Sequence, residues 1–325
     1  MQRILLAGAA SLAALVLSIP ETSQAQSRRW GDGYFPNLPV VTQNGKTVRF
    51  YDDLIKGKIV VISFIFTSCR DFCPITTARL AQVEEKLGES VGRDIFLYSI
   101  TVDPENDSPQ KLKDFADAFH AGPGWQFITG RPEDIRAING KLGEQMRSLN
   151  EHRNEIVIGN DVTGRWTRNN LLGDLETVVT AIRAMDPKWH DQVRAPQKSD
   201  DGNTIYKFDR PPGQALFTKL CAPCHTVGHG DRVGPDLNGV TAHRTRSWLV
   251  SYLKDPEKMR AGKDPAALAL AAKYPGVRMP TLGISDNDAA DLIAYVELLM
   301  YRLRGPQEGS ASHQHPEHHQ HDRHH

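Results

Sequence analysis

Residues Ile59–Pro74 read IVVISFIFTSCRDFCP. Ile59 to Phe66 is a nearly unbroken run of β-branched and aromatic side chains, which predicts a fully buried strand of a parallel sheet. The run ends in Thr67-Ser68-Cys69-Arg70-Asp71-Phe72-Cys73-Pro74, and a helical pattern follows at Leu80, Val83 and Leu87. Two cysteines therefore stand where a buried strand turns into a helix. Open α/β sheets carry their chemistry there, at the carboxyl end of a strand. With Cys73 in the first helical turn, a spacing of four lets both sulfurs face the same way. A helix N-terminus favours thiolates, and a thiolate is both metal ligand and nucleophile. Three readings of the pair stand side by side: a structural disulfide, a catalytic dithiol, and a copper site completed by a distant histidine.

Outward from this stretch the pattern stays α/β. Val40 to Phe50 alternates around Asn44-Gly45, a two-residue hairpin signal. Ile95 to Val102 predicts a second strong strand, ending at Asp103-Pro104-Glu105. Helices are expected over 108–121, 132–142 and 174–185, a short strand over 125–129, and a hairpin from 154–158 and 165–167. This order is that of an elaborated thioredoxin-type α/β sandwich. From Asp186 to Asn203 the sequence is polar and without period, as in an interdomain linker.

A second unit begins beyond it. Pro212 to Leu220 predicts a short helix leading into Cys221-Ala222-Pro223-Cys224-His225. C-x-x-C-H is a c-type haem attachment motif: two thioethers hold the porphyrin and the adjacent histidine reaches the iron. Gly234-Pro235-Asp236-Leu237 starts nine residues after His225. A backbone carbonyl there would accept the ring N–H of the axial histidine and fix its orientation. Met279, 54 residues beyond His225 in Arg278-Met279-Pro280, is the candidate second axial ligand, with Met259 and Met300 as rivals. Ser285 to Arg302 is the clearest helical pattern in the chain, with Ser285 and Asp288 as a capping box and Leu292, Ile293, Val296, Leu299 and Met300 on one face. It is expected to close against the Pro212 helix.

Composition bounds the rest. The chain has 325 residues, enough for two domains, with 39 basic and 39 acidic residues. No basic excess points to nucleic acid. The only cysteines are the two tight pairs, which is not the pattern of a disulfide-stapled domain. At the N-terminus Arg3, the apolar run Ile4–Ile19 and Ser23-Gln24-Ala25 predict an export signal cleaved after Ala25. The alternative is an uncleaved anchor; otherwise the membrane enters only through partners. The expected location is a bacterial periplasm. Gly309 to His325 holds seven of the thirteen histidines. It reads as a metal-gathering tail for Cu(II), Zn(II) or Ni(II), or as a purification tag.

Two resemblances enter on these residues. The stretch from Pro36 to about Met185 resembles the SCO/SenC copper-chaperone family: it has the Cys-x-x-x-Cys-Pro of Cys69, Cys73 and Pro74, the Val102-Asp103-Pro104-Glu105 segment, and His152 just before a late strand. The resemblance implies that Cys69, Cys73 and His152 bind copper, with Asp103 beside them. Arg70 stands where the family often has Pro or Thr, and a cation there would stabilise thiolates. The stretch from about Tyr206 to Arg304 resembles class I cytochrome c, which implies a single covalent haem c on Cys221 and Cys224 with His225 and Met279 as axial ligands. The expected architecture is thus an α/β thioredoxin-like sandwich followed by a small all-α cytochrome c domain. Its parts are a signal over 1–25, an SCO/SenC domain over 26–188, a linker over 189–205, a cytochrome c domain over 206–305 and a His-rich tail over 306–325.

Together these imply a periplasmic copper-binding redox metallochaperone. It would deliver copper to the binuclear copper centre of cytochrome c oxidase, through the copper-bearing subunit, or to a similar cuproprotein. The haem would exchange electrons with the copper or thiol site, and with other periplasmic redox proteins. Two alternatives remain: a haem-coupled thiol–disulfide oxidoreductase using Cys69 and Cys73 on target cysteines, and an electron-transfer protein whose SCO-like domain only docks. Copper and haem both cycle by one electron, whereas a dithiol and its disulfide differ by two. This favours copper as the working partner, and a chaperone over an enzyme.

Overall fold

The structure is a computed structural model that describes residue 30 and residues 33–144, 155–189 and 211–304. The signal over 1–25, His152, the linker from residue 190 onward and the His-rich tail lie outside the described residues.

β1 (Pro39–Thr42) and β2 (Thr47–Arg49) pair as a hairpin. Its loop, Gln43-Asn44-Gly45-Lys46, is longer than the two-residue turn expected. Thr42 N–H donates to Lys46 O, Gly45 N–H donates to Thr42 O, and Gly45 takes φ +75°, which suits glycine. A wide helical turn over Phe50–Ile55 leads into β3 (Ile59–Ile65). Then come α1 (Cys73–Leu87), β4 (Ile95–Thr101), α2 (Pro109–Ala118), β5 (Trp125–Thr129) and α3 (Pro132–Lys141). β6 (Glu155–Asn160), β7 (Arg165–Asn170) and α4 (Leu175–Arg183) complete this domain.

The strands form one sheet in the order β2-β1-β5-β4-β3-β6-β7. β3, β4 and β5 are parallel, but β6 runs antiparallel to β3. The central strand is therefore parallel on one side only, which corrects the wholly parallel setting expected. A continuous apolar run reports burial on both faces, and a covered mixed sheet buries a strand as well as a parallel one. Period-two alternation then divides the core. Val61 and Ile65 face one layer with α1, α2 and α4, while Val60, Ile62 and Phe64 face the other with α3 and the Phe50–Ile55 turn. Within the sheet, the Ser63 and Ser99 hydroxyls bond at 2.7 Å and Trp125 Nε1 donates to Ser99, so this buried polar cluster is satisfied.

The second domain is all helical. α5 (Gln214–Leu216) continues into the wide turn Phe217–Cys221. α6 (Val240–His243), α7 (Arg246–Lys254), α8 (Pro256–Ala261), α9 (Pro265–Lys273) and α10 (Asp286–Arg304) follow. The capping box is present: Asp288 accepts from Ser285 N–H, and Ser285 Oγ accepts from Asp288 N–H. α10 buries Leu292, Tyr295, Val296 and Met300 against Phe217 and Cys221, so the predicted closure is made. Gly213 allows the approach. It has φ +79°, and a Cβ there would lie 2.3 Å from Asp291 O.

The two domains pack together. Val233 enters the α1/α2/α4 side of the first core, with Cys224 and Val277 against it. Arg232 pairs with Glu85 of α1, and Thr281 N–H donates to Arg70 O at 3.3 Å. Among the described residues no helix is long and apolar enough to cross a membrane.

Candidate metal and haem centres

The strand-to-helix junction places Cys73 at the first position of α1, with Pro74 next, and turns Cys69 back through its N–H to Phe66 O. Proline suits this position because its missing N–H would have no helical acceptor. Cys69, Cys73, Phe66 and Val102 form a small buried cluster, and Val102 is held there by its N–H bond to Ile65 O. The sulfurs are close enough to share a hydrogen bond.

The expectation that the helix start favours both thiolates holds for only one. Cys69 is lowered to about 7, first by the Cys73 thiol donating to it, then by the backbone N–H groups of Asp71 and Cys73. Cys73 is fully buried, and burial drives its thiol well above the usual range, with the Asp107 charge adding to the effect. One sulfur is thus a thiolate near neutral pH, and its partner keeps the proton that stabilises it.

Two residues named in the sequence expectation make contacts of their own. The Asp103 carboxylate accepts from Asn106 Nδ2 at 2.9 Å within its own loop. The carboxylate behind Cys73 is Asp107, 1% exposed, which accepts from Thr67 N–H and from the hydroxyls of Thr67 and Thr101. Burial raises its pKa. The segment Asp103-Pro104-Glu105-Asn106-Asp107 pointed to the right loop, but a loop of several acidic residues does not say which one lies behind Cys73. Arg70 does not serve the thiols, because its guanidinium pairs with Glu257 of the helical domain at 3.3 Å. His152 lies outside the described residues. Among the described residues no group of three or more His, Cys, Asp or Glu side chains forms a metal set.

In the second domain the chain turns at Cys221, and His225 follows with Nδ1 2.9 Å from Pro235 O, the carbonyl contact expected from the sequence. Burial holds the His225 imidazole below its ordinary value. The ring is therefore neutral with Nδ1–H donating, which leaves the Nε2 lone pair free for a metal. Gly234 makes room, since a Cβ there would meet His225 Cε1 at 2.7 Å. Burial pushes Cys221 and Cys224 up to about 12.

A cavity of about 260 Å³ is walled by Phe217, Cys221, His225, Trp248, Met279 and Val296. A second, of about 80 Å³, is walled by Cys221, Cys224, His225 and Met279 together with Pro74 and Ile75 of α1. Met279 thus borders both cavities with His225, while the rival Met300 is buried with its sulfur accepting Gly239 N–H at 2.9 Å. Arg260 also lines the smaller cavity. Its side chain is only 9% exposed, and Nε has no hydrogen-bond partner. A buried unpaired guanidinium nitrogen calls for an anionic acceptor, which a haem carboxylate would supply. The thiols, the neutral histidine, the apolar space and this orphan donor together fit a covalently attached haem. Arg260 carried no sequence signal, because its role comes from the packing of α8.

Residues 36–160 match the SCO1/SenC family model and residues 211–299 the cytochrome c family model. The chain carries an SCO1/SenC domain followed by a cytochrome c domain. An SCO1 protein homolog of Bacillus subtilis is 38% identical over 89 residues, covering 27% of this chain and 45% of that protein. An SCO2-like protein of Rickettsia felis is 34% identical over 106 residues, covering 33% and 49%. A relative from Stutzerimonas stutzeri, named for copper binding, is 32% identical over 108 residues, covering 33% and 51%. The chain spans about half the length of these curated relatives. Among solved structures, an SCO1/SenC family lipoprotein from Bacillus anthracis aligns with TM-score 0.42 and 24% identity, over 48% of this chain and 95% of that one. The SCO1/SenC domain contains Cys69 and Cys73. The cytochrome c domain contains Cys221, Cys224, His225 and Met279, and implies haem c.

Proposed function

We propose that this chain is an exported, periplasmic copper-binding redox metallochaperone, processed after Ala25. It takes copper at Cys69, Cys73 and His152 and delivers it to the binuclear copper centre of a cytochrome c oxidase. The observation that carries this reading is a shared wall: Pro74 and Ile75, next to Cys73, line the same cavity as Cys221, Cys224, His225 and Met279. A relative of the SCO1/SenC domain named as a putative copper-binding protein supports the choice of metal.

Copper is the cargo. Cys69, ionised near neutral pH, is the entry ligand; Cys73 joins it as copper displaces the proton from its Sγ. Two soft thiolates suit Cu(I), and an added imidazole makes Cu(II) tolerable. Held by Cys221, Cys224, His225 and Met279, a haem would supply a one-electron couple, which matches the one-electron difference between Cu(II) and Cu(I). Pro235 holds the His225 ring in one tautomer and orientation. Pro74 and Ile75, apolar and next to Cys73, form part of the cavity wall.

The test is an anaerobic copper titration of the reduced, haem-loaded chain, compared with Cys69→Ser. The difference between the two isolates the cysteine site from any copper held by the His-rich tail. One equivalent lost in the variant, with haem oxidation as Cu(II) is added to the parent, is the expected result. Equal copper in both would overturn it. A second reading has one observation in its favour. An ionised Cys69 beside a buried, protonated Cys73 is also the arrangement of an attacking and a resolving thiol. Ready disulfide exchange without stoichiometric copper would establish that thiol–disulfide reductase instead.

A further inference from the structure

Glu257 lies in the first turn of α8, and three arginines converge on it: Arg260 at 2.8 Å, Arg70 at 3.3 Å and Arg278 at 3.9 Å. Each belongs to a different part of the two centres. Arg70 follows Cys69 in the chain. Arg278 precedes Met279. Arg260 lines the cavity that Cys224, His225 and Met279 enclose. A second tie runs through the main chain, where Thr281 N–H, two residues past Met279, donates to Arg70 O at 3.3 Å. The stretch that carries Met279 is therefore fastened to the stretch that carries Cys69 twice, once by a backbone bond and once by a shared carboxylate.

Exposed ion pairs are weak one at a time and matter mainly as networks. Here one carboxylate serves three guanidinium groups, so a shift of any one changes what the others receive. The Cys69 turn has a reason to shift. As free thiols the two sulfurs share only a hydrogen bond, while a disulfide draws them to about 2.05 Å. Cys73 is anchored as the first residue of a fifteen-residue helix, so the movement falls on Cys69 and on Arg70 beside it.

We infer that Glu257 is a coupling residue. Through Arg70 and Arg278 it transmits the state of the Cys69–Cys73 pair to the Met279 stretch, and so to the reduction equilibrium of the haem iron. By linkage, the oxidation state of the haem alters how readily the cysteine pair is oxidised. Glu257, Arg70 and Arg278 are positioning residues; none touches the reacting atoms. The inference rests on the haem assignment above but does not need copper.

The test uses the haem-loaded full chain. The haem midpoint is measured by visible absorption with the cysteine pair reduced. It is measured again after a two-electron thiol oxidant has taken two electrons from the pair, and Cys73 has released its proton, to form the disulfide. The expected result is a roughly tenfold difference in the haem reduction equilibrium between the two forms, about 59 mV for a one-electron couple. In Glu257→Gln the two forms should titrate within twofold of each other. Arg70→Ala, at a side chain 60% exposed and so safe for folding, should do the same, while Arg70→Lys should keep most of the difference. The sulfur-to-iron charge-transfer band of the oxidised haem should respond to disulfide formation in the parent and stay fixed in Glu257→Gln. A parent with no difference overturns the inference. So does a difference that survives in both Glu257→Gln and Arg70→Ala, since a through-space effect of the thiolate charge would survive them. Copper binding with no cysteine-dependent shift removes the coupling alone. A cysteine-dependent shift in a chain that binds no copper supports the coupling and removes the chaperone reading.

Discussion

The chain holds two cysteine pairs, and the structure gives them opposite chemistry. Cys69 and Cys73 flank the start of α1, share a hydrogen bond, and divide one proton unequally, with Cys69 near 7 and Cys73 well above the usual range. Cys221 and Cys224 are both pushed to about 12 by burial, without a hydrogen bond between them to hold one as a thiolate. A donating partner and helix-terminal N–H groups make the difference, since they lower Cys69 against the effect of its own burial. The first pair is arranged to stay sulfur, available to a metal or another thiol. The second is arranged to be consumed, one thioether each, beside a histidine already turned by Pro235.

This contrast can be broken most completely at the second pair. Replacing both Cys221 and Cys224 by Ser should abolish covalent haem, read as haem absorption retained after denaturation, while leaving copper at the first pair. Next in size, Cys69→Ser should remove stoichiometric copper while covalent haem is retained, measured on the same preparation by metal analysis and by haem absorption. Exchange of the two phenotypes would invert the assignment.

The pH dependence sharpens it further. In metal-free, haem-free protein the reactive form of Cys69 is the thiolate, present above about 7 and lost as pH falls through that value. Its alkylation rate should therefore drop by about tenfold per pH unit below the midpoint and level off above it. Cys221 and Cys224 should remain slow across the same range, as peptide mapping of the alkylated sites would show. The smallest effect is expected at Asp107→Asn, which keeps the shape but leaves Thr67 N–H, Thr67 Oγ1 and Thr101 Oγ1 competing for a neutral amide oxygen. A loss of about 1–3 kcal/mol in denaturant unfolding is expected. A stable variant would mean that the carboxylate is already protonated where it sits.

Local sequence determined much of this protein by itself. The apolar run of β3, the turn residues and the capped helices follow from periodicity and backbone preference, which need only neighbours in the chain. Ser285 and Asp288, for example, cap α10 as their spacing required. The attachment residues Cys221, Cys224 and His225 are equally local, since their chemistry depends on spacing within a single turn. Tertiary structure decided whatever depends on distant groups meeting. Which cysteine keeps the proton follows from burial and from Asp107 behind Cys73. Whether Arg70 serves a thiolate or a carboxylate follows from where α8 comes to rest. That Pro74 and Ile75 wall the haem cavity follows from one domain packing on the other. Such contacts join residues far apart in the chain, and only the balance of burial and charge in the folded chain selects them.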